Sequence, residues 1–175
     1  MNTKKYIILL FVLLFTLFTS PIHAQQKIEA FIDYDYDGWV DVFFDSSDTK
    51  PYLKIRNDSS NREDIFLVEI IGKRGERFEV NLKNNYGTVL ISHSFIPKLH
   101  IRVLVRGDSS EDDSTTLYAE PSASCNDIRV IQCVGQKRFA VVDFRDNWLL
   151  VSFDEDGEGV LSGWIPLINS NANPY

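Results

Sequence analysis

From residue 25 onward no stretch holds a helical apolar period through three turns, whereas apolar and polar residues alternate in run after run. Phe78, Val80 and Leu82 alternate with Glu79 and Asn81, and Leu99, Ile101, Val103 and Val105 alternate with His100, Arg102, Leu104 and Arg106. A period of two sends successive side chains to opposite faces, so these runs read as strands with one face in a core and one in water. Ile65 to Ile71 is apolar almost throughout and reads as a central strand covered on both sides. Turn residues punctuate the runs at Asp58-Ser59-Ser60-Asn61, Lys73-Arg74-Gly75 and Asn84-Asn85-Tyr86-Gly87. The expected fold class is all-β.

Residues 106–116, Arg-Gly-Asp-Ser-Ser-Glu-Asp-Asp-Ser-Thr-Thr, contain no apolar side chain. Such a segment cannot bury enough surface to order itself and reads as an acidic linker or a long exposed loop. It divides a β-sandwich-like N-terminal unit of five to seven strands, residues 25–105, from a smaller C-terminal unit, residues 117–168, with a tail at 169–175. In the smaller unit Phe139–Phe144 and Trp148–Phe153 flank Arg145-Asp146-Asn147, a hairpin connection. Leu149, Val151 and Phe153 fall on one face of the second strand, and Trp148, Leu150 and Ser152 on the other.

Residues 1–24 have the form of a secretory signal: Lys4 and Lys5, an apolar run from Ile7 to Phe18, then Ile22-His23-Ala24 before the expected cleavage. The apolar run is short for a bilayer crossing, which takes about 20 helical residues. No Cys follows the cleavage position to accept a lipid, and no later segment is apolar enough for a membrane helix. The expectation is an exported protein, secreted or periplasmic, with no membrane span in the mature chain. The chain carries 18 basic and 25 acidic residues; without residues 1–24 it has 16 against 25, a formal charge of −9. A surface of that sign repels phosphate backbones, so nucleic acid is not an expected partner.

Three short motifs in the smaller unit occur in order: Tyr118-Ala119-Glu120-Pro121, Asn147-Trp148-Leu149-Leu150-Val151 and Gly163-Trp164-Ile165-Pro166. Their order resembles the bacterial SH3-like (SH3b) domain, with an aromatic-x-x-Pro strand, a turn followed by Trp-x-x-Val, and a closing Gly-Trp-aliphatic element. The resemblance implies an SH3-like β-barrel over residues 117–168 and a module that binds or positions a ligand. It also implies a peptide groove between two long loops, paved with rings, for which Tyr118, Trp148, Trp164 and Tyr175 are the candidates. The alternative for Trp164 is packing in the barrel core.

Asp33-x-Asp35-x-Asp37-Gly38-x-x-Asp41 is the sharpest local motif. Alternate carboxylates followed by Gly suit a Ca²⁺ loop, and the pattern resembles both an EF-hand loop and the Asp-rich FG-GAP repeat. Position twelve is Phe44, so the bidentate Glu of an EF-hand is missing, and a bound Ca²⁺ would have a Kd on the order of 10⁻⁴ to 10⁻³ M. The other reading of the same residues is an acidic turn with no ion. No further cofactor is expected. Cys125 and Cys133 lie eight residues apart. They either pair, contributing about 2 to 3 kcal/mol in an oxidising compartment, or stand as two separate thiols.

The wall-cutting Cys peptidases to which SH3b domains are often fused would need a Cys in an Asp-Cys-Ser-Gly-like setting with a His downstream, whereas Cys125 sits in Ser-Cys-Asn-Asp with His93 and His100 both upstream. The chain also lacks Gly-x-Ser-x-Gly and His-Glu-x-x-His motifs. The expected function is therefore a non-enzymatic binding module of the bacterial envelope that recognises a cell-wall peptide or an envelope protein. The alternative is an acidic inhibitor or immunity protein that blocks a wall-degrading enzyme.

Overall fold

The computed structural model describes residues 27–33, 38–56, 65–105, 114–132, 137–155 and 159–171. Among them there are thirteen strands and no α-helix: β1 (Ile28–Ile32), β2 (Val40–Val42), β3 (Leu53–Ile55), β4 (Leu67–Arg74), β5 (Arg77–Lys83), β6 (Val89–Pro97), β7 (Ile101–Val105), β8 (Ser114–Tyr118), β9 (Ile128–Gln132), β10 (Lys137–Arg145), β11 (Trp148–Glu155), β12 (Gly159–Pro166) and β13 (Ser170–Asn171). The protein is all-β. Eleven strands form one antiparallel sheet in the order β6-β5-β4-β1-β7-β10-β11-β12-β8-β9, with β13 added beside β7, while β2 and β3 pair separately. The sheet does not close; its edges are β6 and β9.

The chain runs through the same plan twice. β1 is followed by the β2–β3 hairpin, the meander β4-β5-β6, a 3-10 turn at Lys98–His100 and a return to β1 through β7. β7 is followed by the β8–β9 hairpin, the meander β10-β11-β12, a 3-10 turn at Leu167–Asn169 and a return to β7 through β13. The registers coincide: Ile32 faces Ile101 as Val105 faces Ser170. The first two meander strands shift register at Ile70/Gly72 in one half and at Val141/Asp143 in the other.

The turns coincide as well. Gly75 (φ 56) and Asp146 (φ 51) hold the left-handed position of the two hairpin turns. Lys98 N–H donates to Glu76 O at 3.1 Å and Leu167 N–H to Asn147 O at 2.7 Å. Pro97 and Pro166 precede the 3-10 turns with nearly identical dihedrals, φ −59 and ψ 133 against φ −59 and ψ 139. A proline there fixes φ and ends the ladder, so each closing strand is turned off at the same place.

β7 belongs to both halves, closing the first and opening the second. Ile101, Val103, Leu104 and Val105 are all buried, and one continuous core runs from Ile28, Val68 and Phe78 through Val103 to Phe139, Leu149 and Ile165. The alternation expected across 99–106 is altered for this reason. Leu104, placed by period on the polar side, is buried because strands flank β7 on both sides. Leu99 is exposed and His100 buried because the 3-10 turn after Pro97 breaks the strand period.

The strands read at Ile65–Ile71, Phe78–Leu82, Phe139–Phe144 and Trp148–Phe153 all form, with Leu149, Val151 and Phe153 buried. Ser114–Thr116, read as the end of the linker, lie in β8 with Thr115 buried; residues 106–113 lie outside the described residues, as do 1–24.

On the outer face of the first half, Lys83 Nζ lies 2.8 Å from Glu69 Oε2 and 3.4 Å from Glu29 Oε1, and Lys27 Nζ lies 3.2 Å from Glu69 Oε1. Glu69 and Lys83 are both buried. The hydrogen bond from Lys83 outweighs burial and, with Lys27, holds the Glu69 carboxyl below its ordinary range. A carboxyl lowered on folding adds stability that is present above its unfolded pKa of about 4.5 and is lost as the pH falls through the folded value. Lys83→Met is therefore expected to cost about 1–3 kcal/mol at pH 7 by leaving a buried carboxylate short of its main partner. The deficit should shrink as the pH drops below 4.5, which urea unfolding at pH 7 and pH 3 measures.

Candidate functional site

Directly opposed residues of an antiparallel pair share a face. In the second half the pairings Ile128↔Tyr118, Tyr118↔Trp164 and Trp164↔Leu150 therefore set four apolar side chains in a row across β9, β8, β12 and β11. Trp148, opposite Pro166, lies two residues from Leu150 and so extends the same face. The rings of Tyr118 and Trp148 meet edge to face with centroids 5.2 Å apart. Tyr118, Trp148, Leu150, Trp164 and Pro166 are each half-buried, while their neighbours Leu117, Leu149 and Ile165 point into the core. The row is thus an outer face of the sheet, held from beneath by a packed layer. Three of the four residues expected to line a groove come together here; Tyr175 lies outside the described residues.

Gly163 lets β8 approach. A Cβ at this position would lie 2.7 Å from Leu117 Cβ and 3.4 Å from the Tyr118 carbonyl oxygen. The Gly of the Gly-Trp element therefore sets the spacing at which Tyr118 reaches Trp148. Beyond Tyr118 the β8–β9 connection continues the ladder with Ala119 N–H donating to Asp127 O at 3.0 Å, and Glu120 and Asp127 are exposed. On the other side of Trp148 the β10–β11 turn exposes Arg145, Asp146 and Asn147.

The matching surface of the first half is built differently. Phe43 takes the place of Tyr118, bridging to Phe95 as Tyr118 pairs with Trp164. Arg77, opposite Pro97, takes the place of Trp148. Its guanidinium lies over the Phe43 ring, 3.5 Å from the centroid, and donates to Ser46 O and Asp48 O at 2.9 Å and to Asp45 O at 3.4 Å. The loop it fastens is further tied by Ser47 N–H and Oγ–H, which donate to Asp45 Oδ1 at 2.9 and 2.8 Å. Those bonds hold the Asp45 carboxyl below its ordinary range, the backbone bond most strongly. Glu79 stands where Leu150 stands, paired with His93 at 2.9 Å. A cation and its carbonyl ligands thus cap the first surface, whereas the second presents bare rings.

Of the Ca²⁺ candidates, Asp33 and Asp41 are described and Asp35 and Asp37 are not. Asp33 Oδ2 lies 3.1 Å from Arg102 Nη2, and Asp41 Oδ1 lies 3.2 Å from Lys54 Nζ. Each described carboxylate therefore faces a protein cation, and the two sit in different pairs. Cys125 is a half-buried thiol whose S–H donates to Asp127 O at 3.3 Å; Cys133, its expected partner, lies outside the described residues.

The sequence reading missed Leu150, Pro166 and Ile128 as parts of this surface. A signal was present: Phe95-Ile96-Pro97 and Trp164-Ile165-Pro166 are the same aromatic-Ile-Pro element, and aligning them brings out the two halves.

No helix among the described residues is long and apolar enough to cross a membrane. No family model matches the sequence, and no curated protein matches it. Two solved structures resemble the chain, those of NlpC2 and NlpC1 from Trichomonas vaginalis, at 14% and 12% identity and a TM-score of 0.32 each. The likeness covers 84% and 85% of this chain but 48% and 47% of theirs, so the chain spans about half the length of either protein.

Proposed function

We propose that the chain is a non-enzymatic binding module, exported to the bacterial envelope, which recognises a cell-wall peptide or an envelope protein through its second half. The observation that carries this reading is the half-exposed face of Tyr118, Trp148, Leu150 and Trp164, backed by core and bounded by the 119–127 connection and the 145–147 turn. Large, stiff, amphipathic rings supply contact area at little cost in conformational freedom, which suits them to extended ligands. The SH3b-like motifs supply all three rings of this face. The contrast with the first half adds support, because there Arg77 already covers the equivalent ring.

Co-sedimentation of residues 25–175 with purified peptidoglycan sacculi, with and without Ca²⁺, tests the proposal. Saturable pelleting is expected. Trp148→Ala should weaken it about tenfold or more, since a ring at the centre of an interface contributes on the order of 2 kcal/mol. A fold check by circular dichroism accompanies the variant. Absence of pelleting in both conditions would overturn the wall-peptide reading and turn the search to protein partners, an inhibited wall-degrading enzyme first.

A further inference from the structure

Among the described residues the strand order ends at β6 and β9, and the two ends are built differently: β6 is bridged on its outer side by Phe43, which pairs with Phe95, whereas no described strand lies beyond β9. β6 is interrupted: its register against β5 shifts twice, between Val80/Leu82 and between Leu82/Lys83, and His93 within it has φ 52. Breaks of this kind bend a strand and discourage pairing with other chains. β9 has none of them. It pairs with β8 in an unbroken register from Ser114↔Gln132 to Tyr118↔Ile128, and contains no Pro, Gly or Lys.

The hydrogen-bonding direction along β9 follows from its ladder. Ala119 N–H donates to Asp127 O, so the opposed pair 119/127 is a hydrogen-bonded one. Hydrogen-bonded and non-bonded pairs alternate in an antiparallel ladder. Arg129 and Ile131 therefore bond toward β8, while the N–H and C=O groups of Ile128, Val130 and Gln132 point away from it. Ile128 and Val130 are 51% and 59% exposed, an unusual investment of β-branched side chains at a wet edge. Ile128 also begins the apolar row that continues through Tyr118 and Trp164. At the start of β9 stand two exposed carboxylates, Glu120 and Asp127, and the strand itself carries one exposed guanidinium, Arg129.

We propose that β9 is a docking edge for an extended segment of a partner protein, which adds to the sheet as a further strand beside Ile128–Gln132. The segment's backbone bonds the outward groups of Ile128, Val130 and Gln132, and its alternate apolar side chains cover Ile128 and Val130. A basic side chain at the end nearest Asp127 and Glu120 matches the carboxylates there. The inference rests on the binding reading above and specifies the kind of ligand and the way it is held.

The probe is a synthetic peptide, acetyl-Lys-Val-Thr-Val-Thr-Val-Thr-amide, titrated into residues 25–175 while tryptophan fluorescence is followed. A version with Glu in place of Lys serves for comparison. Saturable binding is expected, with the Lys peptide at least tenfold tighter than the Glu peptide and the difference reduced by salt. Val130→Pro removes an outward N–H at an edge, where proline is tolerated, and should abolish binding while leaving the melting temperature unchanged. If that variant proves less stable, Asp127→Lys provides the second arm and should erase the preference for Lys.

Equal affinity of the two peptides, or wild-type binding by Val130→Pro, overturns the inference. So does a dimer in sedimentation of the free protein that Val130→Pro dissociates, since the edge would then serve a second copy of this chain. Sacculus binding that Trp148→Ala loses and Val130→Pro keeps would retain the aromatic face and discard the edge.

Discussion

Phe139→Ala is expected to destabilise the protein by about 3–5 kcal/mol and to lower the unfolding midpoint of both halves together. Phe139 has no exposed surface, packs its ring 4.6 Å from that of Phe153, and lies opposite Val103 in the β7–β10 ladder. Removing it leaves a cavity at the point where the two copies of the plan share a strand. The size follows from the lost burial of an aromatic side chain plus the void left behind.

The coupling follows from topology. Val103 has Phe139 on one side, while β1 pairs with the first residues of the same β7. Phe78 of the first half also lies with its ring 6.0 Å from Phe144 of the second, and Lys73 bonds both the Asp143 carboxylate and Phe144 O. Urea unfolding followed separately by Trp39 and by Trp148 and Trp164, in single-tryptophan backgrounds, checks this. Coincident transitions that shift together in the variant are expected. Two transitions, with only the second moved, would show that the halves fold independently and that β7 transmits little.

That coupling marks the limit of what could be read from the residues. Strand positions were legible because each buried face imposes a period of two: Phe78-x-Val80-x-Leu82 and Leu149-x-Val151-x-Phe153 point inward as written. The three aromatic members of the candidate face were legible because their motifs are short and contiguous. Pairings between distant strands were not legible. Nothing local in Ile101–Val105 tells that it has partners on both sides, and the only trace is Leu104, an apolar residue where alternation asks for a polar one. The acidic run at 106–116 invited a cut into two units just beyond the strand that joins them.

The division of labour between the halves was hidden for a similar reason. Arg77 looks like an ordinary basic residue in a strand, and only the fold brings it over Phe43 and against the carbonyls of residues 45, 46 and 48. Equivalent positions hold Arg77 and Trp148, or Glu79 and Leu150, so one architecture yields a fastened surface and an open one. The edge strand β9 was missed because its place at the end of the strand order is a property of the fold that nothing local in Ile128–Gln132 reveals.

Gly163→Val is expected to destabilise the protein by about 3 kcal/mol and to part Tyr118 from Trp148. Local preference predicts the opposite sign, because Val suits a strand and Gly within one costs about 0.5–1 kcal/mol relative to Ala. Packing decides the matter. The added Cβ would sit 2.7 Å from Leu117 Cβ, an atom fixed to its backbone that cannot rotate away. β8 must then move, and β8 carries both the buried Leu117 and the ring of Tyr118. The first half supplies the comparison. At the equivalent position Ser94 is buried with its side chain in place.

Gly163→Ser should accordingly fall between Gly and Val in stability and loosen the aromatic pair in proportion. Thermal unfolding gives the order, and the emission of Trp148, with Trp39 and Trp164 replaced by Phe, reports the separation from Tyr118. A Gly163→Val protein as stable as the wild type, with unchanged Trp148 emission, would show that β8 can yield without cost. The glycine would then be no determinant of the ring-lined face.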